Sequence, residues 1–164
     1  MSDPEGHLQP VPAPASCGKQ TYAEVEREIR QLTARVGAFY DEQMYDQMLE
    51  LFTEDAEFKC PPSRRELRGK AEILADISRS PENRLVRHLM ANTIVDQHDE
   101  SHASAHCHVI AGANIGARPQ VAAVPMMGAP VFGEYLFRFR REDGVWKVQR
   151  KETVEVFAGQ ALAF

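Results

Sequence analysis

Apolar side chains at Tyr22, Val25, Ile29, Leu32, Val36 and Phe39 recur at steps of three and four. That spacing puts them on one face of a helix ending near Tyr40. Thr21 stands just ahead of the run with Glu24 three positions on, the arrangement of a reciprocal N-terminal cap. Met48, Leu49 and Phe52 predict a second, short helix over 45–52, broken by Thr53-Glu54-Asp55 and followed by a brief strand over 56–60. Pro61-Pro62-Ser63 ends that strand. Gly69-Lys70 then opens a third helix whose buried face is Ile73, Leu74 and Ile77 and which stops before Pro81.

Beyond Pro81 the period changes from helical to alternating. Residues 85–95, 103–113, 131–141 and 145–157 read as strands rich in β-branched and aromatic side chains. The last two are joined by Glu142-Asp143-Gly144, a hairpin turn with its glycine in place. Helices first and a meander afterwards is an α+β pattern. It predicts a curved antiparallel sheet wrapped around three N-terminal helices, a shape that encloses a pocket. The stretch from Gly112 to Gly128, with Pro119, Pro125 and Met126-Met127, reads as a long connection near the pocket mouth. Residues 1–19, with four prolines among small and polar residues, read as a disordered tail. Residues 20–158 then form one domain, and 159–164 a C-terminal tail.

Composition narrows the partners. The chain has 164 residues, 43% of them hydrophobic, enough for a single core, and a net charge of -5. No positive surplus exists to neutralise phosphates, so nucleic acid is not an expected partner and a small molecule is. No stretch reaches the ~20 apolar residues of a membrane span, and no basic segment followed by an apolar one stands at the N-terminus. A cytoplasmic, membrane-free protein is therefore expected. Cys17, Cys60 and Cys107 are scattered and lack C-x-x-C spacing, which suits a reducing compartment. Glycine-rich phosphate loops and G-x-S-x-G elbows are missing too, so nucleotide chemistry and serine hydrolysis are not expected and no cofactor is called for.

The order of elements carries further markers: Tyr40-Asp41, Leu51-Phe52-Thr53-Glu54-Asp55-Ala56, Gly69-Lys70, Arg87-His88 and Asp143-Gly144-Val145-Trp146-Lys147. Together they resemble the SnoaL-like branch of the cone-shaped nuclear transport factor 2 fold, over about residues 22–157. That branch includes polyketide cyclases, scytalone dehydratase, a dehydrochlorinase and bile-acid dehydratase relatives. The resemblance implies a deep cone admitting one apolar ligand, and homodimers formed through the outer face of the sheet. In several of its lyases a Tyr-Asp pair ending the first helix faces a histidine on the first long strand, and Tyr40-Asp41 and His88 fall on those positions. Two departures argue against dehydration of scytalone itself. Cys60 stands where that enzyme has a polarising tyrosine, and its second histidine would fall near Ala113 or Asn114.

The chemistry this implies is general acid–base work, with His88 as base or acid and Asp41 orienting its ring and fixing its tautomer. The natural reactions abstract a proton beside a carbonyl: β-elimination, isomerisation or aldol-type ring closure. Tyr40, Asn92 or Tyr135 would donate a hydrogen bond to the developing oxyanion. Arg150 shares strand parity with Trp146, Val148 and Val154, which would turn it into the cone as an anion or carbonyl ligand. The plainer readings are a helix-ending Asp41, a satisfied strand histidine and a surface arginine. His106 and His108 share a strand face, as metal ligands do, but lie opposite the small apolar face of Ala103, Ala105, Cys107, Val109 and Ala111. No carboxylate follows them within about six residues, so no metal is expected. Two alternatives to an enzyme of this kind remain: a non-catalytic ligand-binding or interaction module on the same cone, and a metal-dependent protein centred on His106 and His108.

Overall fold

Thr21 starts the first helix by the expected exchange of hydrogen bonds. Its hydroxyl accepts the backbone N–H of Glu24 at 3.4 Å, and the Glu24 carboxylate accepts the Thr21 N–H at 2.8 Å. The structure, a computed structural model, describes residues 19–116 and 123–157. Of the expected tails only Lys19 is described, and the part of the long connection over 117–122 falls outside the described residues. Helix α1 (Tyr22–Asp41) buries Val25, Ile29, Leu32, Val36 and Phe39. Each contributes roughly 1.5–3 kcal/mol of transfer free energy. Tyr22 instead stays 54% exposed, and its hydroxyl donates to the Val95 carbonyl at 2.8 Å.

Helix α2 (Tyr45–Glu50) is shorter than expected, and β1 (Phe52–Cys60) begins earlier. A register shift between Phe52 and Glu57 explains the difference. It lets Glu54 and Asp55 protrude into water while Phe52, Thr53 and Ala56 are all fully buried, a pattern that looked like a break when read along the sequence. After a 3₁₀ turn (Pro61–Ser63), the chain folds back as β2 (Arg65–Arg68), a strand its Arg-Glu-Leu-Arg sequence gives no alternation to reveal. Helix α3 (Lys70–Ile77) follows Gly69, whose φ of 77° favours glycine. It buries Ile73 and Ile77, with Leu74 half-buried.

Four long strands follow: β3 (Arg84–Gln97), β4 (His102–Ile115), β5 (Val131–Glu142) and β6 (Val145–Phe157). The sheet order is β2-β1-β6-β5-β4-β3. Its pairings are antiparallel except for β1 with β6, which run parallel because the strand preceding the meander docks beside the meander's last strand. The fold is therefore α+β, a curved, unclosed sheet around its helices. Gly37 of α1 lets the sheet come close: a Cβ there would lie 2.5 Å from the Met90 methyl on β3.

Two bulges decide which side chains face the helices. Ladder pairing slips between Ala91 and Ile94, where Asn92 takes a φ of 54°. Asparagine tolerates that left-handed conformation better than most residues. The other slip lies in β6, where Val148 pairs with Phe139 but Arg150 pairs with Arg138. One extra residue is thereby accommodated, and the side chains that follow, as far as a further slip after Glu155, change face.

Candidate active site

Asp41 is the last residue of α1, yet only 8% of it is exposed. A buried carboxylate needs partners, and β3 supplies them. Asp41 Oδ2 accepts the backbone N–H of His88 at 2.8 Å, and Asp41 Oδ1 lies 2.5 Å from His88 Nδ1. Only 9% of either side chain is exposed. Since an ionised carboxylate only accepts, the ring proton sits on Nδ1 and Nε2 is left as the basic nitrogen. The two-point hold fixes both the ring's angle and its tautomer.

The end of α1 has no basic residue in its own last turn. Arginines of β3 supply the charge that complements its negative dipole end. Arg84 Nη1 reaches the Tyr40 hydroxyl at 3.3 Å, and Arg87 Nη2 pairs with Glu42 at 2.9 Å. Tyr40 is thus held edge-on to His88, with ring centroids 5.6 Å apart.

A cavity of about 130 Å³ lies between α1 and the concave side of the sheet, with Tyr40, Cys60, His88, Met90, Tyr135 and Lys151 among its walls. The dyad also borders a groove of about 530 Å³ on the outer side of the α1–β3 seam, beside Glu42, Arg87 and Leu89. A wider concavity of about 540 Å³ lies elsewhere, lined by His98, His106, Arg138, Arg150 and Glu152, and does not include the dyad. The small cavity is the candidate site, because there the titratable groups converge against aromatic walls.

Tyr135 sits 6.0 Å from His88, centroid to centroid, and is 8% exposed. Burial pushes its phenol well above the ordinary range, keeping it a neutral hydrogen-bond donor. Burial likewise pushes the Cys107 thiol upward, so it stays protonated.

Two expected site residues lie elsewhere. Asn92 is exposed on the bulge, its amide 3.2 Å from His108 Nδ1 on the outer face. Arg150 also faces outward, paired with Glu152 and, at 3.8 Å, with Glu57. The bulge in β6 turns Lys151 inward instead. Lys151 is 6% exposed, with its ammonium nitrogen 3.5 Å from the Tyr135 ring centroid and 4.8 Å from that of Phe58. Its one hydrogen bond among the described residues goes to Thr153 Oγ1 at 3.2 Å. Burial pulls its pKa down from 10.5 to about 7. Strand parity, extended through an unseen bulge, points to Arg150; only the slip in pairing reveals Lys151.

On the outer face, His106 and His108 gain a carboxylate that sequence spacing could not show. Glu134 lies directly opposite His108 on β5, and one ligand atom from each of the three residues falls within 4.8 Å of the others. His106 Nε2 is covered and makes no hydrogen bond among the described residues. The donor set, two imidazoles and a carboxylate, suits zinc or another late transition ion.

Residues 21–152 match the family model for the SnoaL-like domain. No curated protein matches the chain. Several solved structures do. The hexachlorocyclohexane dehydrochlorinase LinA-type3 of Novosphingobium barchaimii is 14% identical with a TM-score of 0.70, over 87% of this chain and 93% of that one. ActVI-ORFA of Streptomyces coelicolor is 17% identical with a TM-score of 0.63, over 80% and 97%. A protein of Novosphingobium aromaticivorans provisionally named a scytalone dehydratase is 20% identical with a TM-score of 0.67, over 82% and 86%. At these identities the likeness establishes the fold, the cone of nuclear transport factor 2.

Proposed function

This chain belongs to the SnoaL-like domain family, and from that premise we propose that it is an acid–base enzyme acting without a cofactor on a small, apolar, oxygenated metabolite. The reaction class is elimination, isomerisation or cyclisation through an enolate-like intermediate. The observation that carries this reading is the pair of hydrogen bonds that one buried carboxylate accepts from His88, at the wall of an aromatic-lined cavity. His88 Nε2 removes the proton beside the substrate carbonyl, and Asp41 stabilises the imidazolium that forms. Tyr40 and Tyr135 stand beside the ring to donate to the developing oxyanion. The relatives' names, a dehydrochlorinase and a dehydratase, are in keeping with this class of reaction.

The test is a panel of polyketide-like and steroid-like ketones assayed for loss of water, double-bond shift or ring closure, with His88→Ala and Asp41→Asn in parallel. A substrate turned over equally well by all three proteins would overturn the dyad, and compounds that bind in the cavity without any being turned over would return the chain to the ligand-binding reading. A homodimer in the cytoplasm is part of the proposal. The exposed Ile94, Ile110, Phe132 and Leu136 on the outer face support the dimer, and the free Cys60 and Cys107 support a reducing compartment.

A second reading has one observation in its favour: the approach of Glu134 to His106 and His108. On that reading the outer face holds a transition-metal ion. Metal content of protein purified without chelators tests it.

A further inference from the structure

The chain has five lysines, and four of them sit within 4 Å of a carboxylate: Lys19 with Glu100, Lys59 with Glu66, Lys70 with Glu54 and Lys147 with Glu142. Lys151 is the exception among the described residues. It has two aromatic rings and a threonine hydroxyl around its nitrogen, and it opens on the cavity that holds His88. An unpaired ammonium is costly in such a place, whereas a neutral amine is not. A neutral amine is also a nucleophile, which an ammonium is not. Tyr135 links the two groups: its ring lies 3.5 Å from Lys151 Nζ and 6.0 Å from the His88 ring.

Building on the acid–base reading above, we propose that Lys151 is a covalent catalyst that captures an aldehyde or ketone as an iminium, so that the substrate class of this cavity is carbonyl compounds. The Nζ lone pair forms a C–N bond to the carbonyl carbon. The C–O bond then breaks, and the oxygen departs as water carrying the two amine protons. Taking up one proton from solvent turns the imine into an iminium. His88 Nε2 then removes the proton from the neighbouring carbon, and the C–H electron pair forms an enamine while the iminium nitrogen becomes neutral. Where the substrate has a double bond one carbon further on, the product is a dienamine, and return of the proton from His88 to its far carbon gives isomerisation; where it has a β-leaving group, the enamine expels that group with its bonding pair and elimination results. Water then hydrolyses the iminium and frees Lys151. The burial that lowers the amine's pKa to about 7 leaves much of it unprotonated at neutral pH.

The experiment exposes the protein at pH 7.5 to acetaldehyde or benzaldehyde with sodium cyanoborohydride, which reduces iminium ions to stable secondary amines. Peptide mass mapping then scores all five lysines. The expected result is modification of Lys151 at least about tenfold faster than of the other lysines, because those are almost entirely protonated at this pH. Lys151→Arg should abolish that adduct, and His88→Ala should keep it, since the dyad acts after the iminium forms. Should Lys151→Arg fail to fold, the ranking of lysines within the wild-type protein decides alone. Modification of Lys151 no faster than of the exposed lysines, with both aldehydes, overturns the proposal. That failure leaves the dyad reading standing if His88→Ala still slows turnover. Conversely, rapid trapping beside an undiminished His88→Ala rate overturns the dyad and keeps the amine.

Discussion

The two faces of one sheet carry the same kinds of side chain in opposite surroundings. On the inner face, His88 and Asp41 are each 9% exposed at the side chain and held by two hydrogen bonds. On the outer face, His106 and Glu134 are 37% and 34% exposed and 3.5 Å apart. An ion pair in water contributes little and is screened by salt, whereas a pair withdrawn from water acts at low dielectric and tolerates no loss of partner. The inner pair is thus suited to moving a proton. The outer trio suits an ion that brings its own charge. Burial, more than residue type, separates the two sites.

The largest effect should come from breaking the inner pair. His88→Ala and Asp41→Asn are each expected to lower kcat on the true substrate by at least about 10²-fold with the fold retained. Steady-state rates together with circular dichroism check this, and equal losses in the double variant would show that the two act as one unit. The outer trio is sharpened by titration calorimetry with zinc. One equivalent should bind, and His106→Ala or Glu134→Gln should weaken it by about 10- to 100-fold. Zinc that follows His88 instead would erase the distinction between the faces.

Smaller effects concern stability. Gly37→Ala would put a Cβ 2.5 Å from the terminal methyl of Met90, a flexible side chain that can swing aside, and Ala is favoured over Gly inside a helix by about 0.5–1 kcal/mol, so chemical denaturation should show a net change within about 1 kcal/mol. Lys151→Met should raise the melting temperature, and the gain should depend on pH. The unfolded lysine keeps its proton up to about 10.5, while the folded one loses it near 7. Wild-type stability therefore climbs between those values as the buried charge disappears. The advantage of the methionine variant is expected to be greatest at pH 7 and below and to fade towards pH 10; a constant advantage would mean that the amine is not desolvated. Asn92→Val should cost about 1–2 kcal/mol and Asn92→Gly almost nothing, because only the first resists a φ of 54° at the bulge that divides inner from outer positions.

Amino-acid order alone determined the helical face from Val25 to Phe39, the capped start at Thr21, the four long strands and the hairpin at Asp143-Gly144, because these depend on periods and local hydrogen bonds that neighbours in sequence set. The Tyr40-Asp41 and His88 pairing was legible too, through the family resemblance, since Asp41 ends α1 and His88 lies in the first half of β3. Tertiary structure decided the rest. Strand β2 owes its place to pairing with β1, and Glu134 meets His108 only across a ladder. Asn92 and Arg150 leave the cavity, and Lys151 enters it, because a bulge inserts one residue and inverts the alternation that follows. Such an insertion is chosen by the partner strand, through the hydrogen bonds and side-chain contacts it offers, and so it leaves no mark in the order of apolar and polar residues.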